Sequence, residues 1–104
     1  MANNLVGGSP FPVFAQGSAS KASYDITAAT VVKAAPGYVA TVIVQVAGSG
    51  TGTVNDCLTT GAAAIGNQVF VIPETVGSYQ INWPFATGLV VVPGTGQTVA
   101  VSYA

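Results

Sequence analysis

Short β-branched runs, separated at nearly even intervals by glycine, proline and asparagine turns, constrain this chain more than any other feature of its sequence. From residue 23 onward the runs fall at 23–27, 30–34, 37–47, 53–59, 67–72, 78–83, 88–92 and 97–103. Valine and threonine dominate inside them, as pleated surfaces favour. Between them stand turn-forming stretches at 35–37, 48–52, 60–61, 73–77 and 93–96, where glycine supplies positive φ and proline presets φ near −65°. Residues 59–67 are the one stretch compatible with helix, and they are too few for a stable α-helix. The reading there is a loop or a single helical turn. Nothing alternates strand with helix, which excludes a parallel α/β fold. Eight short strands at this spacing predict an all-β, eight-stranded antiparallel β-sandwich, jelly-roll-like in form. Seven-stranded immunoglobulin-like sandwiches and small barrels share the pattern.

Period-2 alternation sorts several strands into faces. In 37–47, Tyr38, Ala40, Val42, Val44 and Val46 fall on one side, and Val39, Thr41, Ile43 and Gln45 on the other. Tyr79, Ile81 and Trp83 oppose Ser78, Gln80 and Asn82. Val99, Val101 and Tyr103 oppose Thr98, Ala100 and Ser102. These strands read as half-buried and antiparallel. Residues 69–72 and 89–92 are apolar on both sides, so each calls for cover from beyond the facing sheet. A neighbouring subunit is the expected source, which makes Phe70, Ile72, Val90 and Val92 candidate interface residues.

Residues 1–22 differ from the rest. They hold Gly7, Gly8, Pro10, Pro12 and Gly17 with no period, and read as an extended N-terminal arm ahead of a sandwich domain at 23–104. Phe11, Val13 and Phe14 are large apolar side chains in an otherwise small and polar stretch, and fit an arm that docks on a neighbour. The stretch has no basic n-region, and residues 7–10 break any apolar h-region, which argues against a secretory signal.

Charge narrows the function. The chain of 104 residues has two cationic and three anionic side chains and no histidine, with half of its residues hydrophobic. A typical soluble domain is about 25% charged. Disorder combines high charge with few apolar residues, the reverse of this composition. A small sheet protein so apolar and so weakly charged is expected to expose apolar patches, and such patches mark interaction surfaces. An obligate oligomer or particle-bound subunit follows. The longest apolar run, 38–47, is interrupted by Thr41 and Gln45 and is too short to span a membrane, which takes about 20 residues as a helix.

The residues that carry chemistry are sparse. General acid–base catalysis calls for a tuned proton carrier, and Asp25, Asp56 and Glu74 are far apart in sequence. Cys57 and the serines have only Lys21 and Lys33 as conceivable bases. A single cysteine allows no internal disulfide, and Cys57, in a predicted strand, reads as a small buried hydrophobe. No metal-ligand cluster is present, and two lysines make no basic patch for nucleic acid. Residues 48–52 superficially resemble a phosphate loop, but they lack its lysine and join two strands. The expectation is a protein without cofactor or metal that is not an enzyme. Trp83, Pro84 and Phe85 are the one candidate sugar platform, set against Trp83 as a cap on the core rim.

The runs at 26–37, 62–73 and 93–103 resemble small proteins encoded by tailed bacteriophages and prophages. The resemblance covers about residues 23–104. It implies a virion component: a capsid decoration (cement) protein, a head fibre or a related surface module. Such proteins are commonly trimeric β-sandwiches or jelly rolls without catalytic residues. The expectation is a homotrimer on the capsid surface, bound to the major capsid protein or another virion protein. The second reading is a head- or tail-fibre module that binds a host-surface glycan. The third is a surface-layer or pilus-like subunit of cellular origin.

Overall fold

A computed structural model describes residues 21–104. Eight strands form two four-stranded antiparallel sheets packed as a sandwich. They are β1 (Lys21–Ile26), β2 (Thr30–Lys33), β3 (Gly37–Val46), β4 (Gly52–Asp56), β5 (Gln68–Ile72), β6 (Gly77–Phe85), β7 (Leu89–Val92) and β8 (Thr98–Tyr103). The first sheet has the order β1-β8-β3-β6 and the second β2-β7-β4-β5. Each strand therefore pairs with the strand equally far from the opposite end of the series, as if one long hairpin had been rolled up. All eight predicted strands are present.

The core follows from period-2 patterning. Ile26, Val39, Val42, Val44, Val99 and Val101 of the first sheet meet Val54, Ile72, Leu89 and Val91 of the second, with Phe85 closing one end. Their burial is the main favourable term in folding, roughly 1.5–3 kcal/mol for each large side chain. Tyr79 and Phe70 pack at the border of the two sheets, ring centroids 6.2 Å apart.

Alternation misassigns two residues of β3. Val39 is buried and Val46 exposed, the reverse of their expected sides. The pairing of β3 with β8 is irregular between Val39 and Thr41 and again between Val44 and Val46. Each irregularity adds a residue and shifts the inside–outside phase. Asn82, at φ 50°, belongs to a similar irregularity in β6, where Trp83 is exposed rather than capping the core.

Strand ends also differ from expectation. β1 begins at Lys21, because Lys21 and Ala22 pair with Tyr103 and Ser102. Those two residues leave the expected arm, and the remainder of it, with Phe11, Val13 and Phe14, lies outside the described residues. β4 ends at Asp56, so Cys57 sits in the following turn, still buried, with its thiol donating to the Thr59 carbonyl at 3.4 Å. β6 runs on through Pro84 to Phe85; proline is tolerated there because β6 is an edge strand. Residues 59–67 form two 3-10 turns, Thr60–Ala62 and Ile65–Asn67.

Candidate functional site

The carboxylates are dispersed. Asp25 lies in β1, Asp56 ends β4 and Glu74 sits in the turn after β5. Among the described residues no three His, Cys, Asp or Glu side chains gather where they could hold a metal ion.

Asp56 instead closes one end of the sandwich. Its Oδ1 accepts from the Thr87 hydroxyl at 2.6 Å and the Thr87 N–H at 2.8 Å, with a longer bond from the Gly88 N–H at 3.3 Å. Its Oδ2 accepts from the Ala86 N–H at 2.8 Å. Partial burial works against the charged form. The Thr87 hydroxyl and the three backbone N–H groups outweigh it and hold the carboxyl at about 2, below its ordinary 3.8. This one acid clamps the β6–β7 turn to the end of β4. Gly88 passes beneath, where a Cβ would stand 2.5 Å from the Cys57 carbonyl oxygen.

Neutral amides do the same work elsewhere. Gln97 is buried at the opposite end; its Nε2 donates to the Pro73 carbonyl at 2.7 Å and its Oε1 accepts from the Gly94 N–H at 3.0 Å. With the Ser49 N–H donating to the Thr95 carbonyl at 2.9 Å, three loops are tied together there. Asn55, also buried, donates to the Ala64 carbonyl at 3.1 Å and to Asn67 Oδ1 at 2.9 Å, and accepts from the Thr53 hydroxyl at 2.7 Å. Asn67 in turn donates to the Ala62 carbonyl at 2.9 Å and accepts from the Ala64 N–H at 3.1 Å. These bonds fold the 57–67 loop over the outer side of β4 and β7.

That loop corrects the expected interface. Leu89 and Val91 enter the core, so Val90 points to the outer side, yet Val90 is fully buried. The first 3-10 turn of the chain's own loop packs against β7. The second cover that β7 requires is thus supplied from within. Ile72 is fully buried in the core, Phe70 packs partly buried against it, and Val92 is partly buried. Ile72 and Val90 therefore have no surface to offer a neighbour, and Phe70 and Val92 offer little.

The exposed large apolar residues are different ones. On the outer face of the first sheet, Ala22, Ser102, Thr41 and Gln80 form one cross-strand row, and Ala100, Ile43 and Ser78 the next. These rows carry no charge. Ile43 and Val46 are exposed on β3, and Tyr24, beside the rows on β1, is 70% exposed. On the second sheet and its covering loop, Val31, Leu58, Val71 and Ile65 are exposed, Ile65 at 86%. Trp83 is 57% exposed, while Phe85 is buried and Tyr79 partly so, its hydroxyl within 3.1 Å of the Thr75 hydroxyl and carbonyl. Alternation pointed to Ile43, which opposes Val42 and Val44. Leu58 and Ile65 lie outside any regular period, and Trp83, paired with buried Val39, is exposed because β6 is an edge strand.

Comparisons with protein-family models, with curated proteins and with solved structures find no match to this chain. No helix among the described residues is long and apolar enough to cross a membrane.

Proposed function

We propose that this chain is a non-enzymatic structural subunit of a tailed-phage virion, a capsid decoration protein that assembles with copies of itself and binds the major capsid protein at the head surface. One observation carries this reading: apolar side chains, among them Tyr24, Ile43, Val46, Leu58 and Ile65, stand exposed on a sandwich that spends its few charges elsewhere. Exposed apolar residues on a neutral surface favour burial against a partner. We also read the strand order β1-β8-β3-β6 over β2-β7-β4-β5 as that of a jelly roll, in keeping with the resemblance to phage virion proteins. The partnering surface is then the outer face of the first sheet together with the 57–67 loop. A partner that engages only the assembled shell stabilises it by mass action, and many copies add avidity without strong single contacts. A homotrimer is the expected assembly. Sedimentation velocity and co-sedimentation with undecorated heads test the proposal. A monomer at micromolar concentration with no affinity for heads refutes it.

The 57% exposure of Trp83 favours a second reading, a fibre module that stacks a host-surface sugar on the indole. Glycan-array binding that Trp83→Ala abolishes, with the fold intact, would decide for it.

A further inference from the structure

Open sheets have edges, and this chain has little charge to defend them. Among the described residues, β1 and β6 border the first sheet and β2 and β5 the second. An edge strand presents unpaired N–H and C=O groups on which another strand can add. Charged side chains are a common block, and five must serve this whole chain.

Each edge strand carries an extra residue at one step of its ladder. In β1, Ser23 to Ile26 stands opposite Val101 to Val99 of β8. In β2, Val31 to Lys33 stands opposite Val90 to Leu89 of β7. In β5, Gln68 to Phe70 stands opposite Asn55 to Val54 of β4. In β6, Gln80 to Trp83 stands opposite Thr41 to Val39 of β3. The pairing between the interior strands β4 and β7 is regular throughout. Interior β3 is irregular against β8, and its first extra residue falls on the rung where β6 is irregular. Across that rung the step is one residue in β8, two in β3 and three in β6, so the sheet fans open toward its edge. Asp25 in β1 and Asn82 in β6 have φ of 54° and 50°, and no other non-glycine residue described has positive φ. Aspartate and asparagine tolerate that left-handed conformation best, and it breaks the run of edge groups facing outward.

We infer that these extra residues do for this chain what surface charge does for others: they interrupt all four edges, so that copies meet face to face and not by adding strand to strand. The inference stands whether or not the virion reading holds. Lys21, Lys33 and Pro84 reinforce three of the edges. β5, with no charge or proline of its own, has its irregularity as the one such device among the described residues.

Deleting Asn82 regularises the β6 edge, whereas Asn82→Gly keeps both the extra residue and its φ. Fibre growth, followed by thioflavin fluorescence and by the cross-β reflection, is expected to accelerate about tenfold or more in the deletion and to match the parent in Asn82→Gly. Val42→Ala, destabilised through the core with its edges intact, is the control. Equal fibre growth in Val42→Ala and the deletion overturns the inference, as does a deletion that folds and stays as soluble as the parent. A second measurement requires no variant. Peptides copying residues 68–72 and 77–85 are titrated into the intact protein, and amide chemical shifts are read along the four edges. Closed edges give no saturable shift; saturable shifts confined to one edge overturn the inference.

Discussion

Replacing Asp56 by asparagine isolates the one carboxylate whose hydrogen bonds tie strands together among the described residues. Asparagine is close in shape to the protonated acid, and it offers one good acceptor where the carboxylate has two. The carboxyl is lowered from 3.8 to about 2 by the Thr87 hydroxyl and the N–H groups of Ala86, Thr87 and Gly88, against the opposing pull of partial burial. At about 1.36 kcal/mol per pKa unit that displacement corresponds to roughly 2.4 kcal/mol, and the shallow, solvent-screened position reduces it to about 1–2 kcal/mol. Because the folded pKa is depressed, the contribution is present in full above the unfolded value near 4 and is lost as pH falls through about 2. Urea unfolding of the parent and Asp56→Asn at fixed protein concentration, from pH 7 down to pH 2, measures it. The two midpoints are expected to differ at neutral pH and to converge toward pH 2, with unchanged denaturant slopes. A gap independent of pH, or none at pH 7, refutes the assignment of Asp56 as an ionised clamp.

Gln97→Ala leaves the Gly94 N–H and the Pro73 carbonyl without their partner and is expected to lower stability by about 2–3 kcal/mol in urea unfolding. Asn55→Ala releases the 57–67 loop; stability falls by about 2 kcal/mol, and hydrogen exchange rises first at the loop amides and then at Val90. Association through neutral apolar faces is insensitive to sodium chloride and is strengthened by sulfate, so sedimentation profiles hold constant between low and high salt; dissociation at high salt would point to charge-driven contacts instead.

The strands were legible because turn chemistry is local: glycine and proline mark where the chain must reverse, whatever the tertiary context. Facing was legible wherever the ladder is regular, as in β8, where Val99 and Val101 enter the core. It failed where a ladder gains a residue. At Ala40 and Gln45 nothing in the side chains signals the extra residue, so Val39 and Val46 exchanged sides. The apolar run in β7 correctly called for cover on both faces. Its source was misread because the cover is the turn Thr60–Ala62, a stretch with no hydrophobic period, in a loop held down by Asn55 and Asn67 whose pairing spans 12 residues of sequence. Asp56 was legible as an acid but not as a clamp, since its partners in 86–88 arrive from two strands later.

A chain with so few charges meets by geometry the demands that other domains meet with ions. Loop ends are tied by amides and one carboxylate, which satisfy buried backbone groups that a low-dielectric interior would otherwise penalise. Edges are interrupted by extra residues, which cost local ladder bonds but need no cation. Both devices leave two outer rows of the first sheet free of charge, and that has a consequence for association. Like charges on adjacent copies repel, and desolvating each ion on contact is costly. A neutral threonine, serine and isoleucine face incurs neither penalty when it packs. The same sparing use of charge that exposes the chain to unwanted strand addition also makes dense face-to-face packing inexpensive, so interrupted edges and uncharged faces belong to a single solution: the first disfavours strand addition, and the second lowers the cost of packing face to face.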